Sequence, residues 1–136
     1  MRRVGPVIGM LALAASAAGA ADLPTRAPIA TLPVTPAKTV TRIETTEVDF
    51  APGQKMPEHK HTVPVVCFVT KGSFAVSIGD TPERMVPTGQ VTLEPAEAIV
   101  HYFRNASTTD PAQLMCASLA SEQDKVLNVM LPAPER

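Results

Sequence analysis

Residues 53–72 read GQKMPEHKHTVPVVCFVTKG, and within them His59 and His61 stand two positions apart. On a β-strand alternate side chains share a face, so this spacing directs both imidazoles to one side. Two neutral imidazoles converging from one face begin a transition-metal site. A pair of solvent-facing histidines on an edge strand is the plainer reading of the same residues. His101, the only other histidine, tips the balance toward metal. It lies in a second stretch, residues 89–105, GQVTLEPAEAIVHYFRN.

Taken together, the two stretches resemble the paired motifs of the cupin superfamily. The first motif, G-x5-H-x-H-x3-E-x6-G, is met at Gly53, His59, His61 and Gly72, with Val65 where the glutamate belongs. The second, G-x5-P-x-G-x2-H-x3-N, is met at Gly89, Pro95, His101 and Asn105. Glu97 stands at its turn glycine, and one extra residue precedes the histidine. The resemblance covers residues 44–119 and implies an all-β chain folded as a single jelly-roll barrel, the double-stranded β-helix. It also implies ligands inside the barrel: His59, His61 and His101. Val65, Cys67, Val69 and Phe103 would share the inward side as a pocket lining. Asn105 would close the turn after its strand through side-chain to backbone hydrogen bonds.

The usual carboxylate ligand is missing, because valine cannot bind a metal. Three histidines remain a sound set for divalent iron, nickel, copper or zinc and leave positions open for water, substrate or oxygen. Glu58, next to His59, should point to the opposite face of its strand. Glu94 and Glu97 flank Pro95, and the extra residue could let Glu97 turn inward. An exposed loop glutamate is the ordinary outcome.

The chain has 136 residues, enough for one domain. Arg2 and Arg3 precede an apolar run and small residues ending Ala18-Gly19-Ala20, the layout of a secretory signal peptide over residues 1–20. The expected product is a periplasmic protein with no membrane association after cleavage. Removing the segment takes two arginines and no acids, so the remainder is acidic overall. With no basic cluster, nucleic acid is an unsuitable partner. Residues 21–38 carry prolines at 24, 28, 33 and 36, which favour an extended arm. The barrel is expected over residues 39–120 and a tail, helix or edge strand, over residues 121–136.

Strands are expected where Thr, Val and aromatic residues cluster between Gly, Pro and Asp turns. VVCFVT (residues 65–70) reads as a strand covered on both faces. Its outward pair, Val66 and Phe68, needs a cover, which favours a homodimer. In the cupin pattern the strand carrying Cys116 pairs with the one carrying Cys67. Two buried neighbouring thiols are the expectation there, with a disulfide as the alternative. The functional expectation is a metal-dependent dioxygenase of the Fe(II) type acting on a small organic molecule. A non-catalytic cupin that binds a small ligand or metal is the alternative, because the fold hosts both.

Overall fold

The computed structural model describes residues 24–133. The expected signal segment lies outside them. Nine strands and no helix occur among the described residues: β1 (Arg42–Phe50), β2 (His59–His61), β3 (Val65–Lys71), β4 (Ser73–Ile78), β5 (Arg84–Pro87), β6 (Val91–Glu94), β7 (Ile99–Asn105), β8 (Ala112–Ala120) and β9 (Asn128–Met130). They form two antiparallel sheets, ordered β1-β8-β3-β6 and β5-β4-β7-β2-β9. Apart from β4 and β5, sequence neighbours lie in different sheets, the connectivity of a jelly roll.

Phe50, Phe74 and Phe103 centre the core, with ring centroids 5.0 Å and 6.2 Å apart and edge-to-face geometry. Val76, Val86, Val100 and Leu114 pack around them. Alternation along β3 sends Val65, Cys67 and Val69 inward. The expectation that β3 is covered on both faces is corrected for the single chain: Phe68 is 43% exposed on the outer side. Between β3 and β4 the chain turns at Gly72, where φ is +75°. A Cβ there would stand 2.9 Å from that of Ala112, so the turn requires glycine.

Asn105 is fully buried at the end of β7. Its Nδ2 donates to the Ala51 and Asp110 carbonyls, and its Oδ1 accepts from the Ser107 amide. In the loop from 106 to 111 the Ser107 amide and the Asp110 carbonyl thereby find a partner outside any ladder.

Cys67 and Cys116, expected as neighbouring free thiols, are joined as a disulfide. The reason is register: the two residues stand directly opposite in the β3–β8 ladder. Residues 24–41 carry neither helix nor strand. The tail contributes β9, a short edge strand paired with β2. Lys38 binds the Asp124 carboxylate at 2.7 Å, tying the segment before β1 to the segment before β9.

Candidate metal centre

β2 is short because Pro57 precedes it and Pro64 follows it. Its two histidines face inward between the sheets. His59 Nδ1 lies 2.8 Å from the Pro57 carbonyl, and His61 Nδ1 lies 3.3 Å from the Leu127 carbonyl. A carbonyl only accepts, so each Nδ1 carries the proton and, in the neutral ring, each Nε2 presents a lone pair. Both lone pairs meet the same target. Glu94 Oε2 stands 2.8 Å from His61 Nε2 and 3.6 Å from His59 Nε2.

Glu94 closes β6, and its side chain is 3% exposed. Its Oε2 has no hydrogen-bond partner in acceptable geometry. The nearest group to Oε1 is Cys67 Sγ at 3.2 Å. A disulfide sulfur has no proton to donate, so that contact leaves Oε1 without a donor too. A buried carboxylate in this state is costly unless a cation joins it. Ligand atoms of His59, His61 and Glu94 lie within 4.8 Å of one another, close enough to share one ion.

The titration behaviour follows the same geometry. Burial alone would lower the His59 pKa, but Glu94 and the Pro57 carbonyl outweigh it and raise it above the ordinary imidazole value. Burial alone would raise Glu94, but the two imidazoles pull it below the ordinary carboxylate value. The cluster attracts positive charge, which a proton or a metal ion can supply.

His101 is elsewhere: the structure does not bring this expected ligand to the cluster. The β4–β7 register passes from Ser77↔Tyr102 to Ile78↔Val100, leaving His101 without a partner at the irregularity. Val100 is fully buried opposite His59. His101 Nδ1 instead pairs with Glu58 Oε1 at 2.6 Å, both side chains being well exposed. The extra residue before His101 is the physical cause: by strict motif spacing, Val100 occupies the histidine position. Glu97 does not turn inward either. It adopts φ 63°, the turn glycine's conformation, donates its amide to the His61 carbonyl and pairs its carboxylate with Lys60 at 2.5 Å.

A cavity of about 220 Å³ opens over the cluster. Val65 and Phe103 line it, as do Val48, Met56 and Leu127. Cys67 and Val69, also expected in the lining, are buried behind it, and Cys116 faces the cavity in place of its partner. Glu94 and the β9 segment are the two contributions that sequence reasoning did not assign to the site.

The Cupin domain profile matches residues 46–118, more than half of the chain. The chain belongs to the cupin family. Solved structures of similar fold include an oxalate oxidase bound to the substrate analogue glycolate, with a TM-score of 0.56, 24% identity, and coverage of 65% of this chain and 46% of that one. A structure from a study of DMSP lyases has a TM-score of 0.56, 20% identity, and coverage of 68% and 45%. Oxalate decarboxylase from Bacillus subtilis has a TM-score of 0.57, 16% identity, and coverage of 65% and 24%. This cupin spans less than half the length of those three chains, and the likeness to them is one of fold. No match was found among curated proteins.

Proposed function

We propose that this cupin binds one divalent transition metal through His59, His61 and Glu94 and acts on a small organic molecule in the cavity beside it. One observation carries the reading: three lone-pair-bearing atoms converge inside the barrel, and Oε2 of the buried carboxylate among them has no hydrogen-bond partner in acceptable geometry. Two histidines and one carboxylate on one face form the donor set of mononuclear iron oxygenases. When bound, such an ion supplies Lewis acidity and, if it is iron, a route for oxygen chemistry.

The chain's own residues define the rest. The Pro57 and Leu127 carbonyls hold the imidazoles in the tautomer that leaves Nε2 free. Val65, Phe103 and Leu114 exclude bulk water from one side of the cluster. No lysine or arginine lies among the lining residues, which include the acids Glu44 and Glu94. Oxalate, in the name of two of the fold relatives, would find no cationic side chain there. A neutral molecule of a few heavy atoms suits both the volume and the charge. Export to a periplasm remains part of this reading on the strength of residues 1–20. A homodimer formed through the outer face of the β1-β8-β3-β6 sheet is also part of it.

The test is calorimetric titration of chelator-treated protein with Fe(II), Ni(II) and Zn(II), followed by oxygen consumption against a panel of diketones, catechols, flavonols and thiols. One ion per chain is expected, with affinity at least about tenfold lower in Glu94→Gln. Unchanged affinity in that variant would overturn the site. Metal binding with no oxygen uptake on any compound would favour a ligand-binding cupin.

A further inference from the structure

The disulfide lies beside the candidate metal cluster, with Glu94 between them. Glu94 points Oε2 at the imidazoles and Oε1 at Cys67 Sγ, 3.2 Å away. Ligand atoms of Cys67, Glu94 and Cys116 form a second group within 4.8 Å of one another. Cys67 is fully buried, whereas Cys116 is half-buried and faces the cavity. A small reagent entering the cavity therefore meets the Cys116 sulfur first.

We propose that reduction of Cys67–Cys116 opens a second site, in which both sulfurs and Glu94 hold a thiophilic cation such as zinc or cuprous copper. The disulfide form lacks it, because a half-cystine sulfur carries no anionic lone pair for a metal. A dithiol reductant supplies the electrons. Its thiolate attacks Cys116 Sγ, the S–S bond breaks, and Cys67 leaves as a thiolate that takes up a proton. The reductant's second thiol then attacks the mixed disulfide, closes its own S–S bond and releases Cys116. Two electrons and two protons pass to the protein, and the reductant becomes a disulfide. Cation binding displaces the two thiol protons to solvent.

Two features favour ligation over two inert thiols. The cysteines face each other in register, so their sulfurs stay adjacent after the bond breaks. Glu94 is buried and sets Oε1 3.2 Å from Cys67 Sγ, which brings negative charge to the same point. Soft thiolates then shift the preference from iron toward zinc and cuprous copper. The redox state of one disulfide thereby selects which cation the barrel takes. The proposal uses Glu94 but does not require the histidine cluster to be filled.

Cobalt(II) and zinc titrations of the full chain, before and after dithiothreitol, test it. Sulfur-to-cobalt charge-transfer absorption should appear only after reduction, and zinc affinity should rise by about tenfold or more. Cys67→Ser with Cys116→Ser should show neither change. His59→Ala with His61→Ala should keep the charge-transfer band, which separates this site from the histidine site. Absence of the band in protein whose two thiols are both alkylatable would overturn the proposal. So would loss of the β-sheet circular dichroism signal on reduction, since no scaffold would then hold the ligands.

Discussion

Val65 and Glu94 stand directly opposite each other in the β3–β6 ladder. Val65 occupies the position where the cupin motif has a carboxylate, and Glu94 delivers one from the next strand to the same cavity. Side chains of directly opposed residues have Cβ atoms roughly 5 Å apart. A glutamate can therefore move one strand sideways and still reach two histidines on β2.

Val65→Glu should then place two carboxylates side by side in a buried site. Like charges at that distance cannot both ionise easily, so the metal-free variant should lose about 1–3 kcal/mol of stability. A divalent ion would relieve the repulsion and find a four-donor set. Thermal unfolding in chelator and in excess zinc or manganese checks this. The midpoint of the variant should fall below wild type in chelator and gain more than wild type from metal. A variant unaffected in chelator would mean that residue 65 faces away from Glu94.

His101→Ala should leave metal stoichiometry unchanged, because its ring is engaged with Glu58 outside the cavity. Exposed pairs of this kind contribute less than about 1 kcal/mol, so stability should barely move. His61→Ala, by contrast, should abolish stoichiometric binding. Elemental analysis of both variants after metal loading distinguishes them, and loss of metal from His101→Ala would return that residue to the ligand set.

The placement of His101 outside the cluster and that of Glu94 inside it have separate physical causes. For His101, the extra residue in β7 was visible, but whether a strand absorbs an insertion as a bulge or as a shift of face depends on its neighbours. Here Val100 fills the core, and the bulge falls on the histidine. For Glu94, the ordinary polarity rule points the wrong way. In VTLE, Thr92 and Glu94 are buried while Val91 and Leu93 face outward, half-exposed. Only a polar interior and an apolar exterior explain that inversion, and neither is readable from four residues. The strands, the paired histidines of β2 and the structural role of Asn105 were legible because alternation, turn residues and motif spacing agreed.

Acid should loosen the junction between the chain segments at either end of the barrel. Lys38 and the Ser121 hydroxyl and amide all donate to the Asp124 carboxylate, lowering its pKa to about 2. A carboxyl whose folded pKa is depressed contributes stability above its unfolded value, 3.8, and loses it as pH falls toward the folded value. The contribution should therefore be complete at neutral pH and fade between about pH 4 and pH 2. Asp124→Asn should lower the unfolding midpoint at pH 7 and approach wild type near pH 2. A difference between the two that does not depend on pH would show that the ion pair is not its source.

The outer face of the β1-β8-β3-β6 sheet should be the surface through which two copies meet. Phe68 stands opposite both Met115 and Val91, and Val66 opposite both Ala117 and Leu93. Across β6, β3 and β8 these two rows form one apolar surface; Glu47 and Thr45 end them on β1, where Ile43 opposite Leu119 adds a further apolar pair. Phe68, Met115 and Ile43 are 43%, 45% and 61% exposed. Contiguous apolar surface of this kind on a folded protein marks an interaction site, and a stable interface takes roughly 800 Å² from each partner. A twofold pairing of the same face satisfies both copies at once. Light scattering of the chain with residues 21–38 intact should give a dimer. Phe68→Glu should give a monomer, since it would bury a charge at the centre of the patch without a partner. The same variant should still bind one metal ion, because residue 68 points away from the cavity. A wild-type monomer at every concentration would overturn the pairing.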